Sequence, residues 1–93
     1  MKLIRDNIGE YLYRDVEKIA DTPVDWEKFR EKTIMITGAN GFIAYYLTLA
    51  LLLNNDRRNL HIRVLGLVRN LQKALKKYGC IADREDLTLV TKD

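Results

Sequence analysis

The sequence predicts an α/β fold in which a short parallel sheet, built in the order β-α-β-α-β, follows a helical N-terminal extension. Three observations predict it. Residues 32–37 form an isoleucine-rich run, short enough for a strand buried in a parallel sheet. A turn with two glycines, Gly38-Ala39-Asn40-Gly41, follows at once and opens an apolar stretch with helical spacing. Two further apolar runs, at 60–68 and 87–91, flank a basic amphipathic segment, and strands alternating with helical segments imply parallel βαβ units.

At the N-terminus Ile4, Ile8, Leu12, Val16 and Ala20 recur every four residues and Ile19 widens the stripe, so residues 4–20 are expected to form an amphipathic helix. Gly9 lowers helix propensity and marks a candidate break. Asp21-Thr22-Pro23 ends the helix, because proline cannot continue it. Asp25 is placed to N-cap a single turn over 26–30, where Trp26 and Phe29 supply packing surface. The first strand is expected over 32–37. The helix after the glycine turn is expected over 41–54, with Phe42, Ile43, Tyr46, Leu47, Ala50, Leu51 and Leu53 on a broad apolar face and Asn54-Asn55-Asp56 ending it. Ile62, Val64, Leu65, Leu67 and Val68 mark a second strand within 60–68. A basic helix over 71–78 is closed by Gly79, and Leu-Thr-Leu-Val-Thr at 87–91 alternates as a third strand.

Composition narrows the function classes. With 47% apolar and 31% charged residues, the chain is an ordinary globular one rather than a disordered one. Its net charge of +3 is small, and the basic residues are scattered among acids, which argues against a nucleic-acid partner. The longest apolar stretch, residues 42–53, is too short to span a bilayer, and the first residues lack a signal peptide's apolar core. A single cysteine, Cys80, excludes an internal disulfide, so a semi-buried thiol in a reducing cytoplasm is expected.

The glycine turn carries the chemistry. Gly38 lets the chain leave the strand in a tight turn, and Gly41 lets the backbone approach a pyrophosphate at the first helical turn. Ala44 stands where a third small residue keeps the helix close to the strands. Free amides and the positive end of the helix dipole then favour phosphate. No lysine follows in the Gly-x-x-x-x-Gly-Lys spacing of a nucleoside triphosphatase loop. These features predict one mononucleotide-binding half of a Rossmann-like doubly wound sheet: a helical extension over 1–30 and a partial dinucleotide-binding domain over 31–93.

Thr37-Gly38-Ala39-Asn40-Gly41-Phe42-Ile43-Ala44 resembles the Thr-Gly-x-x-Gly-Phe-Ile-Gly signature of the extended short-chain dehydrogenase/reductases, the nucleotide-sugar epimerases, 4,6-dehydratases and decarboxylases. Asp25-Trp26-Glu27-Lys28-Phe29 is similar, more loosely, to the helical extension of members from bacterial polysaccharide gene clusters. The resemblance implies a nicotinamide cofactor lined by Gly38, Ala39, Asn40, Gly41, Phe42 and Ile43. In the family an aspartate at the end of strand two accepts hydrogen bonds from the adenosine ribose. Arg69 and Asn70 occupy the matching positions, and an arginine pairs instead with a 2′-phosphate. That favours NADP, with NAD as the alternative; Lys73 adds positive charge one turn on. Asp93 resembles the family's adenine-contacting aspartate.

The family's Tyr-x-x-x-Lys pair is absent: Tyr11, Tyr13, Tyr45, Tyr46 and Tyr78 lack a lysine four residues on, and the 93 residues contain no serine. No catalytic residue is therefore assigned, and Tyr45 and Tyr46 are expected to pack. His61 is the only histidine, which leaves no histidine dyad or multi-histidine metal site. Asp83, Glu85 and Asp86 are expected to be solvated loop carboxylates. The expected function is the cofactor-binding N-terminal part of a nucleotide-sugar epimerase or dehydratase, catalytically incomplete alone, cytoplasmic and homo-oligomeric. A small self-associating or regulatory module with a vestigial glycine turn is the alternative, since strand one would be an open sheet edge.

Overall fold

The computed structural model describes residues 2–91. The N-terminal segment is helical in two pieces, α1 (Ile4–Asn7) and α2 (Glu10–Ala20), broken at Ile8 and Gly9. Ile4, Val16 and Ala20 of the four-residue stripe are buried, and Ile8 and Leu12 pack against the same core. A 3-10 turn at Trp26–Phe29 seats the buried Trp26 against Phe29, but the Asp25 side chain makes no capping hydrogen bond.

Three strands follow, β1 (Thr33–Thr37), β2 (Arg63–Val68) and β3 (Leu87–Thr91). They form one sheet in the order β1-β2-β3, with both pairings parallel. β2 lies in the centre and β1 at one edge, as the sequence reading expects of strand one. The second strand starts at Arg63 rather than at residue 60, because Asn59 and His61 take left-handed backbone conformations, with φ of 55° and 56°. Two helices complete the crossovers: α3 (Phe42–Arg58) between β1 and β2, and α4 (Leu71–Tyr78) between β2 and β3. Gly79 closes α4 at φ 59°, and a 3-10 turn at Gly79–Asp83 leads to β3.

Helix α3 corrects two expectations. It runs on to Arg58 and ends at the left-handed Asn59, whose amide donates to the Asn55 carbonyl at 2.9 Å. Asn54, Asn55 and Asp56 are therefore interior helix residues, not a stop. Every residue from 48 to 54 is buried, because α2 packs on the side of α3 opposite the sheet. The apolar face instead gives out at the N-terminal end, where Phe42 and Ile43 are 71% and 79% exposed.

Register divides the sheet into unlike faces. Ile36, Val64, Val68 and Leu87 are buried in the core that contains Leu49, Leu52 and Leu53 of α3. Met35, Leu65 and Thr88 form a row on the opposite face, as do Thr37, Leu67 and Val90; Met35 is 61% exposed. On the core side, a Cβ added to Gly66 would lie 2.9 Å from the Ala39 Cβ and 3.0 Å from Leu89 Cδ2. Glycine in β2 is what lets the turn after β1 settle onto the sheet.

The acidic loop is not simply solvated. Arg84 is fully buried and forms paired hydrogen bonds with Asp86 (2.8 and 2.7 Å) and with Asp56 (3.0 and 2.9 Å). It also donates to the Lys2 carbonyl at 2.9 Å, and Asp56 accepts from the Ile4 amide at 2.9 Å. Asn55 joins by donating to Asp86 and to the Ile62 carbonyl. Burial alone would lower the Arg84 pKa, but its bonds to Asp86 and Asp56 outweigh that and raise it. Burial likewise works to raise the Asp86 carboxyl, and the hydrogen bonds from Arg84 and Asn55 bring it below its ordinary value.

Candidate functional site

The glycine turn sits at the C-terminal end of β1, beside the C-terminal end of β2. The Ala39 amide donates to the Leu67 carbonyl at 3.1 Å, which carries the β1–β2 ladder one step into the turn. Gly38 has φ 62°, a conformation that a side chain would strain. The Gly41 amide closes the turn on the Gly38 carbonyl at 2.8 Å, and a Cβ on Gly41 would meet that same carbonyl at 3.1 Å. Gly41 is the N-cap of α3 and has no side chain to satisfy the first amides of the helix. A 17-residue helix thus presents an uncapped N-terminus beside an exposed turn, the arrangement that receives anions.

The remaining sequence-predicted residues fall around this turn in different ways. Ala39 is buried and Asn40 half-buried, with the Asn40 side-chain oxygen enclosed and unpartnered. Phe42 and Ile43 project from the first turn of α3 into solvent. Arg69 follows β2 at the same edge of the sheet; it is exposed and forms no ion pair among the described residues. Asn70 caps α4, its side-chain oxygen accepting from the Lys73 amide at 3.0 Å. Asp93 lies outside the described residues.

Two residues at the end of α4, unforeseen from sequence, hold the turn from the protein side. The Tyr78 hydroxyl donates to the Ala39 carbonyl at 2.6 Å, and the Lys77 ammonium donates to the Asn40 carbonyl at 3.1 Å. Tyr78 is 3% exposed and stands edge-on to Tyr45, with ring centroids 4.9 Å apart. Tyr45 packs as expected, donates to the Lys77 carbonyl at 3.2 Å and lies 4.8 Å from the Lys77 ammonium. Only the helical position of Tyr78, buried with Ala74 on the inner side of α4, signalled that it faces the core.

A groove of about 880 Å³ lies elsewhere, at the edge of the sheet where β2 and β3 begin. Glu31, Asn59 and His61, all with positive φ, line it together with Asn55, Asp56 and Asp86 of the Arg84 network. Those network groups are already paired with one another, and nothing in the lining selects a ligand. The Cys80 thiol is half-buried and donates to the Asn7 side chain at 3.0 Å. Among the described residues no helix is long and apolar enough to cross a membrane, and no three metal-ligating side chains cluster. Comparison with protein-family models, with curated proteins and with solved structures found no match to this chain.

Proposed function

We propose that these 93 residues are the cofactor-binding part of a nicotinamide-dependent nucleotide-sugar epimerase or dehydratase, with NADP as cofactor and NAD as the alternative. One observation carries the reading: an exposed turn with Gly38 at φ 62° feeds the uncapped N-terminus of α3 at the C-terminal edge of a parallel sheet. That edge is where open α/β sheets bind ligands. The residues present fit the group. The turn has no side chain at either glycine to fill the space beside the helix amides, and among the described residues the Asn40 backbone amide has no acceptor.

Bound there, the nicotinamide would supply a hydride acceptor and donor for a sugar hydroxyl. The chain's own residues bind and orient. The turn backbone from Gly38 to Phe42 receives the pyrophosphate, and Ile43 shields it from the solvent side. Arg69 pairs with the 2′-phosphate, while Asn70, engaged as a helix cap, fixes the start of α4 behind it. The acid/base pair that moves the sugar's proton is not among these residues, and the nucleotide-sugar contacts are proposed to lie on a further segment of a cytoplasmic enzyme. Calorimetric titration with NADP and NAD tests this. NADP should bind more tightly, and Arg69→Asp should reverse the order; binding of neither would overturn the reading.

A second reading, self-association, is favoured by one specific observation. Among the described residues β1 pairs only with β2, which leaves its other edge open, and Met35 stands exposed on the bare face beside it.

A further inference from the structure

We propose that Tyr78 is a positioning residue that aims the Asn40 amide at the phosphate; the inference rests on the nucleotide reading of the turn. The argument is one of peptide geometry. In a trans peptide the carbonyl of one residue and the amide of the next point in opposite directions within one plane, and no peptide bond among the described residues is cis. The Ala39 carbonyl is drawn inward onto the buried Tyr78 hydroxyl at 2.6 Å, so the Asn40 N–H is turned outward, away from α4. Among the described residues no protein group accepts a hydrogen bond from that amide. The neighbouring Gly41 amide is occupied by the Gly38 carbonyl, so the Asn40 amide is the free turn donor nearest in the chain to the first amides of α3.

The same hydroxyl is well placed to hold this geometry. Its ring is fixed edge-on against Tyr45, and the bond is buried, where competition from water is weak. Lys77 takes up the next carbonyl, that of Asn40, at 3.1 Å from an exposed position and acts as a weaker second latch. Two successive carbonyls of the turn are thereby held by one helix end, so α4 fixes the turn before a ligand arrives. Such preorganisation raises affinity by lowering the ordering cost of binding.

The test compares Tyr78→Phe with wild type and with Tyr45→Phe, which keeps the ring beside Tyr78 and removes a neighbouring, part-buried hydroxyl bond that does not touch the turn. NADP and inorganic pyrophosphate are titrated by calorimetry, and the Asn40 amide is followed by NMR as pyrophosphate is added. Tyr78→Phe is expected to weaken both ligands about five- to tenfold, the size of one hydrogen bond's contribution. It should also shrink the Asn40 amide response, while Tyr45→Phe leaves affinity unchanged. Equal weakening in both variants would assign the effect to general loosening and overturn the inference. Wild-type affinity in Tyr78→Phe would overturn it while leaving the nucleotide reading intact. Failure of wild type to bind either ligand would overturn both.

Discussion

Tyr78 joins sequence, packing and the site in a single side chain. Its burial, with a smaller contribution from Tyr45, pushes the phenol up from 10.0 to about 12, while the nearby Thr48 hydroxyl works the other way. Below pH 10 the group is protonated in both folded and unfolded chains and its stabilisation is fully present. Between pH 10 and about 12 the unfolded chain ionises while the folded one does not, so stability falls as pH rises through that window. Urea melts at pH 9 and pH 11.5 should show wild type losing about 2 kcal/mol more than Tyr78→Phe. Equal losses would place the phenol in a less buried setting than the one described. The glycines were legible in part: Gly38 and Gly41 stood out by their place after a strand. The need for Gly66 emerges only where Ala39 and Leu89 converge on it, because close approach between distant segments leaves no local pattern.

 The side chains of Ala39 and Leu89 lie 50 positions apart in the chain, and both would crowd any Cβ at Gly66.

At the scale of elements, α3 and the Arg84 network explain where local reading stopped. Asn54-Asn55-Asp56 looks like a helix stop because these residues favour turns when solvated. In the fold, Asn55 and Asp56 find partners in the Ile62 backbone, Arg84 and the Ile4 amide, so the helix continues through them. Arg84 ties the segment before α1, the C-terminal half of α3 and the residue that leads into β3 together. Arg84→Met should destabilise the chain by about 3–5 kcal/mol, since two largely buried carboxylates lose their partner. Adding Asp56→Asn and Asp86→Asn to Arg84→Met should recover part of that loss. Urea denaturation checks both, and a loss under 1 kcal/mol in the single variant would mean that water replaces the guanidinium, at roughly the worth of a surface pair.

For the whole molecule, the unlike faces of the sheet matter most. Parallel sheets are ordinarily covered on both faces, yet here α3 and its neighbours cover one, and Met35 and Val90 stand exposed on the other. β1 also lacks the charges, proline or bulge that blunt an exposed edge; its sequence is Thr-Ile-Met-Ile-Thr. The 93-residue chain is therefore expected to self-associate in light scattering as concentration rises, and Met35→Lys should shift it towards monomer. A wild-type chain that stays monomeric throughout would rule this out.

The sequence by itself determined the order of elements, the three strands, the glycine turn and the closure of α4 at Gly79, because these depend on residue spacing and on backbone conformations that few residues allow. The tertiary structure alone decided how far α3 extends, that Arg84 is buried between two carboxylates, and that Tyr78 and Lys77 hold the turn. Each of those rests on a partner distant in the chain: 28 positions separate Arg84 from Asp56, and 39 separate Tyr78 from Ala39. A polar side chain reads as solvated until folding brings its partner to it, and no periodicity in the chain records that pairing.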